Sequence, residues 1–141
     1  MTVCAERETF SFPVRVYYED TDAGGVVYYA NYLKFLERAR TEWLRALGFE
    51  QPELLRDHNV IFVVRSVAIE YLRPAQFNDQ LTVTVHLEKF GRSAIEVFQT
   101  VERDARLIEA QVKIVCVDST GFKPISIPAP IRQQLESLSP T

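Results

Sequence analysis

Cysteine is scarce in this sequence: Cys4 and Cys116 are the only two among 141 residues. One stands near the N-terminus and the other inside an apolar alternating run, so a disulfide framework is not expected. Neither has a Cys-x-x-Cys partner or a histidine at ligand spacing, which argues against a zinc site and against thiol catalysis. Long apolar runs are missing too. No stretch approaches the ~18 residues of a membrane span, and the first nine residues carry Glu6 and Glu8 without the apolar segment of a signal peptide. Charge of one sign is also lacking. The net charge of -3, from 16 basic and 19 acidic residues, offers no footprint for nucleic acid. With 47% hydrophobic residues, 25% charged ones and no low-complexity tract, the chain is expected to order as one domain spanning 1–141. The tails 1–9 and 132–141 are expected to fray, and the location is expected to be cytoplasmic.

What the chain does have is a dense stretch from Tyr17 to Arg40. It reads as a strand end, an acidic turn with Asp20 and Asp22, paired glycines at 24 and 25, and the entry to an amphipathic helix. A helix start presents unpaired N–H donors and a partial positive charge, which suits a developing oxyanion. A nearby carboxylate can serve as base or nucleophile. The plainer reading is that Asp20, Thr21 and Asp22 shape the turn or cap the helix, and that the glycines only permit it.

Phe12, Val14, Val16 and Tyr18 alternate with Pro13, Arg15 and Tyr17, the pattern of a half-buried strand. From Ala30 to Leu47 the positions Tyr32, Leu36, Ala39, Trp43 and Leu47 form a stripe on one helical face. Leu33, Phe35 and Leu44 widen it, and Gly48 ends it. Pro52 permits a short helical turn in a polar connection. Strands are then expected over Ile61–Tyr71, Leu81–Leu87, Ser93–Val101 and Ile108–Cys116, joined by links too short for crossover helices. One sheet and one long apolar helix must bury each other. The expected architecture is α+β, a curved antiparallel sheet of about five strands wrapped around one long helix.

The run Tyr18-x-Asp20-Thr21-Asp22-x-x-Gly25-x-Val27-Tyr28, with Asn31-Tyr32 and Glu37-Arg38-Ala39-Arg40, resembles the 4-hydroxybenzoyl-CoA thioesterase family. It is most similar to the YbgC-like branch, acyl-CoA thioesterases associated with the Tol-Pal envelope system. Phe62-Val63-Val64-Arg65, Glu70-Tyr71, Pro74-Ala75, Asp79 and Val115-Cys116-Val117-Asp118 extend the likeness over about residues 12 to 128. The resemblance implies a hotdog fold that assembles as a homodimer or homotetramer. It implies hydrolysis of acyl-CoA thioesters, with coenzyme A as part of the substrate and no cofactor or metal. Asp22 matches the family's catalytic carboxylate, leaving Asp20 an orienting role. The Tyr29 backbone N–H would donate to the thioester oxygen, and Gly24, Gly25 and Val26 would let backbone approach the substrate.

The side chain at Tyr29 departs from many YbgC-like sequences, which carry histidine there. His58, in a polar loop, and His86, on a strand's polar face, do not replace it. Glu37 is a second carboxylate to consider, although pairing with Arg40 at i,i+3 is its plainer role. Arg65 interrupts an apolar strand and invites an ion pair, with Glu37 as one partner. Lys89 and Arg92, beside Gly91, are positioned in sequence to meet coenzyme A phosphates. Tyr28, Tyr32, Phe35 and Trp43 read as core. An alternative to catalysis is a module that binds acyl-carrier protein or an envelope partner. An Asp-x-Asp phosphatase would need a parallel sheet and further carboxylates that this chain does not arrange.

Overall fold

The computed structural model describes residues 9–138. Cys4, the N-terminal residues 1–8 and the C-terminal residues 139–141 lie outside the described residues. The element order is β1 (Phe10–Arg15), a 3-10 turn (Tyr18–Asp20), α1 (Asn31–Ala46), α2 (Gln51–His58), β2 (Val60–Tyr71), β3 (Gln80–Phe90), β4 (Ala94–Glu102), β5 (Arg106–Asp118) and α3 (Ala129–Leu138). The five strands form one antiparallel sheet in the order β1-β3-β4-β5-β2.

Helix α1 lies across β1, β3 and β4. Its apolar spacing does what the sequence predicts: Tyr32, Phe35, Leu36, Ala39, Trp43 and Leu44 are all buried. They meet Leu81, Val83, Val85 and Leu87 from β3 and Ile95, Val97 and Val101 from β4 in one hydrophobic core. Each such aliphatic side chain contributes about 1.5–3 kcal/mol on leaving water. Leu33 is a correction, since it is 44% exposed and adds nothing to that face. Gly48, at φ 100°, turns the chain out of the helix as expected.

Several local expectations need correcting. The strand before the acidic turn stops at Arg15, and Tyr18 belongs to the 3-10 turn, its ring stacked on Phe77 at 3.7 Å. Residues 132–138 do not fray. They continue α3, whose Ile131 and Leu135 are fully buried in the core, and the Arg132 guanidinium donates to the Gly91 and Arg92 carbonyls. The Glu37–Arg40 pair does not form. Arg40 instead donates to the Gln99 amide oxygen at 3.0 Å, drawn inward by a polar side chain buried on β4. Burial holds the Arg40 guanidinium below its ordinary range, an effect that the Glu37 charge opposes. Arg65 has no ion pair among the described residues. It sits at the irregularity in the β2–β5 register, where Val64 faces Ile114 and Ser66 faces Lys113.

Candidate active site

The site grows out of the place where β1 ends. The Val16 amide donates to Asp79 O at 3.0 Å and the Asn78 amide to Val16 O at 2.9 Å, so the chain leaves the sheet held against the β2–β3 connection. Asp20 then ties three segments together. Its buried carboxylate accepts the Tyr17 amide at 2.9 Å, while its carbonyl accepts both the Tyr28 amide and the Asn31 side-chain amide at 2.9 Å. These contacts make Asp20 a structural tie between the turn and the start of α1.

Beyond Asp20 the chain makes a small hairpin. Thr21 bridges Val27, the Asp22 amide donates to Val26 O at 2.9 Å, and the Gly25 amide returns to Asp22 O at 3.1 Å. Gly25 has φ 84°, a conformation that favours glycine. The Asp22 carboxylate is exposed, and its Oδ1 accepts the Gly24 amide at 2.8 Å. Val26 bridges Gln76, and the Val27 amide donates to Ala75 O at 2.8 Å, which anchors the hairpin to the residues before β3.

The hairpin leads directly to the start of α1. Ala30 is the N-cap and offers no side-chain acceptor; the Asn31 amide turns back to Tyr28 O at 2.8 Å and the Leu33 amide to Ala30 O at 3.2 Å. Among the described residues, the Tyr29 and Ala30 amides donate to nothing. Uncapped donors at a helix N-terminus carry the partial positive charge that favours an oxyanion. Tyr29 lies in the turn two residues before the helix proper.

An aromatic cleft opens next to this helix start. Tyr29, Tyr32, Tyr71, Leu72 and Arg73 line a space of about 250 Å3. The Tyr29 ring meets Tyr71 edge-on at 6.2 Å, and Tyr32 tilts against Tyr71 at 5.8 Å. Burial pushes the Tyr32 phenol above its ordinary pKa, and burial followed by the neighbouring Tyr29 does the same to Tyr71. In the sequence Tyr71 stands at a strand end and in the Glu70-Tyr71 motif, with nothing local to place it beside Tyr29. The signal for Tyr32 was a hydroxyl on the buried stripe, where phenylalanine would have packed equally well.

The remaining predicted residues lie elsewhere. Glu37 stands six residues into α1, roughly 9 Å along its axis, and accepts the Thr41 hydroxyl at 2.8 Å. Lys89 and Arg92 flank the β3–β4 hairpin, at the opposite end of β3 from Asp79 and the acidic turn. At roughly 3.3 Å per residue that separation is about 30 Å, so one chain does not bring them to Asp22. Lys89 faces Glu96 at 3.9 Å. His58 is exposed at the end of α2, and His86, half-buried on the sheet, is bonded to the Thr9 hydroxyl at 3.0 Å.

Residues 16–135 match the family model of the thioesterase-like superfamily. The chain belongs to that superfamily. It is a thioester hydrolase with the hotdog fold. An acyl-CoA thioesterase YbgC from Haemophilus influenzae is 45% identical over 130 residues, covering 92% of this chain and 96% of that protein. A 1,4-dihydroxy-2-naphthoyl-CoA hydrolase from Thermosynechococcus vestitus is 29% identical over 86% of this chain and 85% of its own length. The crystal structure of a probable thioesterase from Bartonella henselae matches with a TM-score of 0.83 at 34% identity, covering 86% of this thioesterase and all of that chain. Among the described residues of the thioesterase, no helix is long and apolar enough to cross a membrane.

Proposed function

We propose that this thioesterase hydrolyses acyl-CoA thioesters to free acid and coenzyme A, with Asp22 as general base or nucleophile and the Tyr29 backbone N–H as oxyanion donor. The observation that carries the reading is that amide: it has no acceptor among the described residues, at an uncapped helix start, in the same loop as an exposed carboxylate. The names of the relatives support acyl-CoA as the substrate. Gly24, Gly25 and Val26 form the approach to the carboxylate.

A thioester needs little help to expel its leaving group. The departing thiol has an ordinary pKa of roughly 8.5, so its thiolate leaves without prior protonation. In the base route, Asp22 takes a proton from water as the water oxygen bonds to the carbonyl carbon. The C–S bond then breaks, and the thiolate picks up a proton from solvent. In the nucleophile route, Asp22 forms a mixed anhydride that water later opens. A pre-steady-state burst of thiol marks the second route.

Neither route uses a metal or cofactor, so excess chelator should leave the rate unchanged. The direct test is Asp22→Asn, which removes the charge and keeps the shape. Thiol release should fall at least ~10²-fold, and a parent-like rate in the purified variant would refute the assignment.

Assembly as a homodimer or homotetramer is part of the proposal. Strand β2 ends the sheet with a free edge and carries Val64, Val67 and Tyr71 exposed. A long apolar edge of this kind is a template for pairing with another copy. Acyl-carrier protein thioesters and an envelope partner are tested by the same thiol-release assay, run with carrier-linked acyl groups and with the candidate partner added. The unbridged, buried Cys116 suits a reducing compartment, and a cytoplasmic location belongs to the proposal as well.

A further inference from the structure

The turn between β4 and β5 reaches across to the connection before β3. Thr82 pairs with Glu102 and Val83 with Val101, so the start of β3 and the end of β4 lie side by side. From that turn the Arg103 guanidinium donates to Asp79 Oδ2 at 2.7 Å. The two side chains are 32% and 21% exposed, the most sheltered of the ion pairs among the described residues. Asp104 takes the Nε side of the same guanidinium at 3.0 Å, out in solvent.

The oxygen that Arg103 holds also accepts the Gln76 amide at 2.8 Å, and the Asp79 amide returns to Gln76 O at 3.1 Å, so Asp79 closes the 76–79 loop on itself. Gln76, Phe77 and Asn78 are exposed along that loop, and Asn78 takes a left-handed φ of 72°. Two further contacts, from the Arg15 guanidinium to Asn78 O and from the Phe77 ring to Tyr18, reach the chain before the acidic hairpin. The hairpin itself rests on the other end of the loop. Gln76 bridges Val26, and Val26 O accepts the Asp22 amide at 2.9 Å. A continuous path therefore runs from Arg103 through Asp79, Gln76 and Val26 to the backbone of Asp22.

We propose that the Arg103–Asp79 ion pair is a brace that fixes the position of the Asp22 carboxylate, which makes Arg103 and Asp79 positioning residues for thioester hydrolysis. The inference rests on the assignment of Asp22 above. Neither side chain makes a hydrogen bond to the acidic hairpin among the described residues, so the effect passes through the 76–79 loop. Releasing the guanidinium lets the Asp79 carboxylate turn toward water, and the Gln76 amide loses its fixed acceptor. The hairpin then shifts with Gln76. A small displacement of a reacting group is enough to cost rate even when its cause lies far from the chemistry. The loss falls on kcat, because the pair holds the carboxylate and not the thioester.

The experiment measures kcat and KM for acyl-CoA hydrolysis by Arg103→Gln, Arg103→Lys, Asp79→Asn and Asp104→Asn. Arg103→Gln and Asp79→Asn should each lower kcat about tenfold and leave KM within about twofold of the parent. Arg103→Lys keeps a cation for Asp79 and should recover most of the rate, and Asp104→Asn should match the parent. The deciding arm repeats Arg103→Gln in the Asp22→Asn background. A brace that acts through the carboxylate has nothing left to position there, so the residual rate should fall no further. The same tenfold drop in that background would assign Arg103 to the fold or to the substrate and overturn the proposal. A raised KM with parent kcat, or a parent-like Arg103→Gln, overturns it as well. Should Arg103→Gln fail to fold, Asp79→Asn carries the same cycle, since it keeps an oxygen for the Gln76 amide. Failure here is separable from failure of the catalytic assignment. A parent rate in Asp22→Asn removes the carboxylate from the reaction, whereas collapse in Asp22→Asn beside a parent-like Arg103→Gln removes the brace alone.

Discussion

The Gly24 amide donates to Asp22 Oδ1 at 2.8 Å, so the carboxylate assigned to the chemistry also fastens its own turn. The bond holds one oxygen in place, and Oδ2 has no protein partner among the described residues. Of the two readings that the sequence left open, the turn-shaping bond is present and catalysis is the proposal; two substitutions separate them. Asp22→Asn retains an oxygen for the Gly24 amide, so thermal unfolding should match the parent while thiol release collapses. Asp22→Ala loses both functions and should cost about 1 kcal/mol of stability as well. If Asp22→Asn were as unstable as Asp22→Ala, its lost activity would be a folding defect, and the carboxylate would have no demonstrated part in the reaction.

The adjacent glycines should fail in different ways. A Cβ on Gly24 would stand 3.3 Å from Asp22 Oδ1, close enough to displace the carboxylate by a few tenths of an ångström. A Cβ on Gly25 would meet nothing within 4 Å, but the backbone there holds φ at +84°. Gly24→Ala should therefore lower kcat by about tenfold with the melting temperature nearly unchanged, since misplacing a reacting group is costly even over short distances. Gly25→Ala should cost about 1–2 kcal/mol of stability through the left-handed backbone. Measuring kcat and melting temperature on both variants checks the division. A Gly24→Ala enzyme with parent kcat would mean that the carboxylate tolerates displacement.

The free edge of β2 makes a prediction about assembly. Val67 is 37% exposed on that strand and Val64 is 48% exposed, beside the irregularity at Arg65. Edge strands of soluble monomers are commonly protected by charge or by covering elements. Under the proposed assembly, the parent should sediment at equilibrium as a dimer or tetramer, and Val67→Lys should lower that mass with its core packing intact. An unchanged mass would show that β2 is not the contact.

The parts of the fold that were legible are those set by local period. The stripe Tyr32, Leu36, Ala39, Trp43 announces α1, and Leu81, Val83, Val85, Leu87 announce β3, because each pattern records which face meets the core. The 3-10 turn at Tyr18 was hidden because alternation continues past Arg15 while the hydrogen bonding does not. Arg40 and Glu37 looked like a pair since i,i+3 spacing is all that a sequence exposes. Gln99, which takes Arg40 instead, lies 59 residues away and reaches it only through the pairing of β3 with β4. The same limit concealed the strand order. That β2 lies beside β5 and not β3 is a long-range choice with no local mark. At the site, Asp22 and Tyr29 were named by family resemblance, whereas the cleft joining Tyr29 to Tyr71 requires the sheet to bring residue 71 back to the helix start.

Cys116 supplies a pH dependence with a definite sign. It is fully buried on β5, its thiol 3.8 Å from Ser126 O, and burial pushes its pKa up from 9.0 to about 11. The folded state thus holds this proton more tightly than the unfolded chain does. Below pH 9 the contribution to stability is fully present; between about pH 9 and 11 it is lost as pH rises, at up to about 1.4 kcal/mol per pH unit. The phenols of Tyr32 and Tyr71 are raised in the same direction, so the parent's slope alone is not diagnostic. Urea unfolding of the parent and of Cys116→Ala, both in a Cys4→Ser background, isolates the thiol. The parent should lose stability faster than Cys116→Ala between pH 9 and 11, and at pH 8 its native thiol should resist a disulfide reagent until urea unfolds it. Parallel stability curves, or prompt labelling of the folded protein at pH 8, would show that the β5 thiol is open to solvent.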